Sequence, residues 1–139
     1  MDLDLNKNKR PLRYMALWLA LGWLFVLLVI YLSLTPSPPP SPGVPQGDKL
    51  GHFLVYAGLT GWFLQIYAAR EAHLWIAGGF IALGILLEVL QGLGGVRYFE
   101  WWDMVANTSG VLVALALADT RFGTLLLRLE QRWLVPAAR

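Results

Sequence analysis

Twenty-one consecutive residues, Tyr14 to Leu34, pass without one charged side chain. At 1.5 Å per residue such a run spans the hydrocarbon core of a bilayer, about 30 Å thick, as a helix. Lys7, Lys9, Arg10 and Arg13 precede it. The run is longer than the apolar region of a secretory signal and no A-x-A pattern follows, so it is expected to stay as a first transmembrane helix.

Three more apolar runs follow. Gly51 to Ala68 carries His52, and Leu74 to Leu93 carries Glu88 and Gln91. Met104 to Ala118 is short and reaches bilayer length only with Trp101, Trp102 and Asp103 at one end and Asp119 at the other. Past it, Phe122, Leu125, Leu126, Leu129 and Trp133 fall on one helical face, opposite Thr124, Arg128 and Arg132, the pattern of a helix lying in a membrane interface. The expected fold is all-α: a polytopic membrane protein with a four-transmembrane-helix bundle and a C-terminal amphipathic interfacial helix. Its divisions are a basic tail (1–13), a first span (14–34), a Pro-rich loop (35–47), a three-helix region (48–120) and a C-terminal amphipathic helix with its tail (121–139).

Composition agrees, with 57% hydrophobic and only 14% charged residues. The absence of cysteine excludes disulfides, thiolate nucleophiles and Cys-based metal sites. The formal net charge of +2 is too small to indicate nucleic acid. Nine of the eleven Lys and Arg residues lie in the two tails and at Arg70, while the opposite loops hold only Lys49 and Arg97. That asymmetry predicts cytoplasmic termini and places the Pro-rich loop and the loop around Arg97 outside.

With this topology the polar residues gather in one leaflet. Asp48, Lys49 and His52 begin the second span, Glu88 and Gln91 end the third, Arg97 and Glu100 lie in the loop, and Asp103 and Asn107 begin the fourth. Ionisable groups at membrane depth are costly and so mark function or pairing. Helical spacing aligns Asp48, His52 and Tyr56 on one face, Glu88 with Gln91 on another, and Asp103 with Asn107 on a third. Ala106, Gly110, Ala114 and Ala118 continue the Asp103 side as a ridge of small residues, a helix-packing surface. The plainer roles are a helix cap for Asp48, a folding ion pair between Glu88 and Arg97, and packing or interfacial aromatics at Tyr56, Trp101 and Trp102.

The string Asp48-Lys49-x-x-His52-Phe53-x-x-Tyr56, then Glu88-x-x-Gln91, then Arg97 with Asp103 and Asn107-x-x-Gly110, resembles the VanZ-like family. The resemblance covers about Asp48 to Ala118 and implies a protein of the bacterial inner membrane and cell envelope, in a family named for an accessory protein of teicoplanin resistance. It supplies no settled reaction.

The first function expected is binding or modulating the head group of a lipid, a wall precursor or a lipoglycopeptide, with Lys49 and Arg97 meeting phosphate or carboxylate. Its alternative is an enzyme acting on a lipid or lipid-linked substrate, with His52 and Glu88 as base and acid and Asp48 or Asp103 orienting His52. A triad through Ser109 is disfavoured because that side chain points away from the Asn107 side of its helix. A metal set of Asp48, His52, Glu88 and Asp103 would select no particular ion, and no metal site or cofactor is assigned. Transport is a third class. The expected partners are membrane lipids and an amphiphilic or lipid-linked ligand, without nucleic acid.

Overall fold

Apolar side chains cover the first helix on every side, yet it buries only the stripe Trp18, Gly22, Val26 and Val29, leaving Trp23, Leu24, Leu27 and Tyr31 exposed. A helix apolar all round belongs in apolar surroundings. This is α1 (Met15–Leu34), followed by α2 (Gly47–Leu64), α3 (Arg70–Leu93) and α4 (Trp101–Leu117). A 3-10 turn at Arg121–Thr124, a short α5 (Leu125–Leu129) and a wider π-type turn at Glu130–Leu134 follow. The computed structural model describes residues 8–36, 43, 46–95 and 99–134. Among these the chain is all-helical, with one isolated antiparallel bridge between Lys9 and Tyr67.

Two helices, α1 and α3, are long and apolar enough to cross a membrane. A third crossing exists only if α4 and Arg121–Arg132 count as one span, across a 78° bend. The expected four are therefore not clearly present by length and composition. The reason is local: α2 has 18 residues and includes Asp48, Lys49 and His52, and α4 has 17 and includes Asp103.

Helices α1 to α4 alternate in direction, so each end of the bundle is built from specific termini. At one end the start of α1, the α2–α3 link and the C-terminal segment meet: the Arg10 N–H donates to Ile66 O (2.8 Å), and Leu12, Trp18, Ile66 and Leu126 pack together. At the other end Gln91 Nε2 donates to Ser33 O (2.7 Å), tying α3 to α1 beside the starts of α2 and α4. Between the ends, Val26, Leu59, Phe63, Phe80, Leu87 and Val111 form the core with contributions from all four helices.

The α2–α4 pair is the most intimate contact. A Cβ at Gly110 would lie 2.3 Å from Phe53 O and 2.9 Å from Ala57 N, so only glycine lets the two backbones approach this closely. Gly110, Ala114 and Ala118 are all buried, as a ridge of small residues requires.

The C-terminal region departs from the expected single amphipathic helix. At Gly123 a Cβ would clash with Ala118 O, so the sharp turn after α4 requires glycine there. Phe122, Leu125 and Leu129 are exposed while Leu126 is buried, so the apolar face is split between surface and core. Glu130, on what was expected to be an ordinary surface helix, is buried. Most of the Pro-rich loop and the end of the tail lie outside the described residues.

Candidate functional site

The close α2–α4 approach sets the starts of both helices side by side, and this positions the polar cluster. Lys49 on α2 reaches Asp48 Oδ2 (2.8 Å), Asp103 Oδ1 (2.5 Å) and the Glu100 carboxylate. An ammonium has three donors, and three carboxylates surround this one. One turn on, His52 Nε2 lies 3.3 Å from Asp103 Oδ2, and its Nδ1 lies 3.0 Å from Asn107 Oδ1. Asp103 and Asn107 are thus the α4 partners of Lys49 and His52.

Glu88, at the end of α3, is 2% exposed and accepts the backbone N–H of Glu100 at 2.7 Å. This holds the start of α4 against α3 and brings Glu88 to the edge of the same cluster. Its expected partner Arg97 lies outside the described residues. Tyr56 is buried beneath, where Gly84 leaves room for both Tyr56 and Asn107. Gln91 serves the α1–α3 tie described above and not this cluster. Ser109 donates to Val105 O (2.7 Å) within its own helix, away from His52.

Charge distribution follows from these contacts. Asp48 and Lys49 lie ahead of the apolar run that begins at Gly51. Oxygen atoms of Asp48, Glu100 and Asp103 lie within 4.8 Å of one another, the spacing of a cation site, and Lys49 supplies the cation. The outward groups are carboxylates: the Glu100 side chain is 47% exposed and that of Asp48 34%, against 21% for Lys49. The carboxylates of Asp48, Glu100 and Asp103 thus hold the Lys49 ammonium in place and occupy its donors.

Glu100 had been placed only in the loop, and its part as a Lys49 partner depends on a chain reversal that helical spacing does not reveal. A further buried carboxylate, Glu130, lies at the opposite end of the bundle. It accepts the N–H groups of Arg13 (2.6 Å) and Tyr14 (2.9 Å) and the indole N–H of Trp18 (2.6 Å). The available signal was that Glu130 is the only acid after Asp119 in a basic tail.

Among curated proteins the chain is similar to an uncharacterized protein of the fission yeast Schizosaccharomyces pombe, 35% identical over 99 residues, covering 66% of this chain and 57% of the relative. The chain thus spans little more than half of that relative's length. No family model matches, and no solved structure matches. The VanZ-like resemblance is corrected by these findings: no family model matches and the relative found is eukaryotic, so expectations of a cell-envelope and antibiotic-resistance role lose their basis. The bacterial inner membrane is corrected with it, because a fission yeast has no such membrane.

Proposed function

We propose that α1 to α4 all cross a bilayer and that the cluster at the starts of α2 and α4 binds the polar head group of a membrane amphiphile. The exposed apolar surface continues from α1 onto Leu54 of α2, Leu86 and Val89 of α3, and Leu112 and Leu117 of α4, which is the surface expected of helices in lipid. The cluster then sits at one interface, where a head group is held.

The observation that carries the reading is the direction of the polar atoms. Lys49 is enclosed by carboxylates, and the exposed atoms around it belong to Asp48 and Glu100. An incoming group meets acceptors, so the head group is one that donates hydrogen bonds, an amine or a hydroxyl. The enzymatic alternative has less support, since a general base needs a free ring nitrogen and both nitrogens of His52 already have partners.

The test compares phosphatidylethanolamine, whose ammonium donates, with phosphatidylcholine, whose quaternary nitrogen does not. Native mass spectrometry of the full chain released from nanodiscs is expected to show the ethanolamine lipid retained about tenfold better, the worth of one charge-assisted hydrogen bond. The double variant Asp48→Asn/Glu100→Gln should remove the preference, whereas Glu88→Gln, which keeps an oxygen for the Glu100 N–H, should preserve it. Equal retention of both lipids by the unaltered chain would refute the assignment.

A further inference from the structure

At the termini end of the bundle, away from the cluster, a cleft of about 250 Å3 opens between α2 and α4. Gly58, Gly61 and Trp62 of α2, Ala114 of α4, and Phe122 and Leu125 beyond it are among the residues that line it. A Cβ at Gly58 would meet nothing within 4 Å, so the space there is left open by the absence of a side chain. Gln65 also borders it, but its polar atoms are spent internally: Oε1 accepts the Leu126 N–H (2.9 Å) and Nε2 donates to Gly61 O (3.3 Å). The cleft surface is consequently apolar.

The mouth is basic. Arg121 immediately precedes the lining pair Phe122 and Gly123, and Arg128 stands one helical turn beyond the lining residue Leu125. Arg121, Arg128 and the following Arg132 are exposed, and among the described residues none has an ion-pair partner. Of the acids at this end, Asp119 pairs with Arg70 (3.1 Å), Glu130 is buried on the start of α1, and Glu71 stands exposed in the first turn of α3. Exposed guanidinium groups without an ion-pair partner among the described residues therefore flank the lining of this apolar cleft in sequence.

Apolarity and charge together select the occupant: a cleft lined by apolar groups with exposed arginines next in sequence to its lining suits an amphiphile that carries a hydrocarbon chain and a phosphate. An acyl chain in the cleft places its phosphate at the arginines, where guanidinium forks bind it. We infer that this cleft is a binding site for an anionic phospholipid, one acyl chain lying along Gly58 and Gly61 and the head group held by Arg121 and Arg128. The inference rests on the membrane reading above, but not on the polar cluster at the other end.

Carbonate extraction of membranes containing the full chain comes first. Release into the supernatant would overturn the membrane reading and this site together, whereas retention leaves the site to be judged on lipid preference alone. Phosphatidylglycerol and phosphatidylcholine of identical chains are then titrated into the detergent-solubilised chain and bound lipid is counted by native mass spectrometry. Phosphatidylglycerol is expected to be preferred. Arg121→Gln/Arg128→Gln, both on the exposed surface, should cost about 25-fold, about fivefold for each arginine near a lipid phosphate. Gly58→Leu, which fills the cleft, should weaken both lipids, and circular dichroism establishes that each variant is folded. If Gly58→Leu does not fold, the arginine variant carries the test. Equal binding of the two lipids, an arginine variant with unchanged preference, or full displacement by glycerol phosphate without acyl chains would each overturn the site.

Discussion

A helix begins with N–H groups that have no partner inside it, and α1 has no side-chain cap of its own at Tyr14. Glu130 provides the missing acceptor from far along the chain, placing a carboxylate where both the free N–H groups and the helix dipole favour negative charge. Burial alone would push this carboxyl up, but the hydrogen bonds from Trp18, Tyr14 and Arg13 prevail and hold it below its ordinary value. The sign of the pH effect follows. Because the folded state holds the proton less tightly than the unfolded state, the stabilisation is complete above the ordinary carboxyl range and is lost as pH falls through the lowered folded value. Thermal unfolding in detergent, taken from neutral pH to about pH 3, should show an acid-dependent loss that Glu130→Gln lacks. The same variant should be less stable at neutral pH by about 1.5 to 3 kcal/mol, the usual worth of hydrogen bonds to a charged group. Identical acid profiles for the two proteins would remove this role.

At the scale of elements, the site depends on one glycine. Gly110→Ala forces α2 away from α4 by placing a methyl group against Phe53 O and Ala57 N, and the expected cost is about 1 to 3 kcal/mol from overpacking. Since Lys49 and His52 ride on α2 and their partners Asp103 and Asn107 on α4, the same change should weaken head-group binding. Gly61→Ala, whose Cβ would meet only the Ala114 methyl at 4.0 Å, is the control and should leave melting temperature and binding nearly unchanged. Equal effects of the two substitutions would refute the close-approach argument. The small-residue ridge was legible beforehand because 3.6-residue periodicity alone defines a helix face. The apolar cores of α1 and α3 were legible from the length of their apolar runs, which match the thickness of a bilayer. The end of α2 was not: the run was expected to continue to Ala68, but the helix stops at Leu64, where Ile66 O and the Ala68 N–H bond to Arg10 and Asn8 of the tail. Such pairing is long-range and leaves no periodic trace. Spacing likewise identified the faces bearing Asp48, His52, Asp103 and Asn107, but not that three carboxylates would enclose Lys49.

For the molecule as a whole, the alternating helices put the α2–α3 link and the C-terminal segment at one end and the start of α4 at the other. Four crossings therefore require opposite accessibility, and a chain without cysteine is a clean background in which to measure it. In oriented vesicles a membrane-impermeant maleimide should label Glu71→Cys and Arg128→Cys from one side and Trp102→Cys only from the other. Labelling of all three from the same side would reject the four-crossing reading. The Glu130 contact also fixes an order of events. Its carboxylate is encoded 117 positions after Arg13, whose N–H it accepts, and synthesis runs from the N-terminus. The start of α1 thus waits for its acceptor until α2, α3 and α4 have all been made, and a ribosome stalled anywhere between α1 and Glu130 leaves that contact unformed.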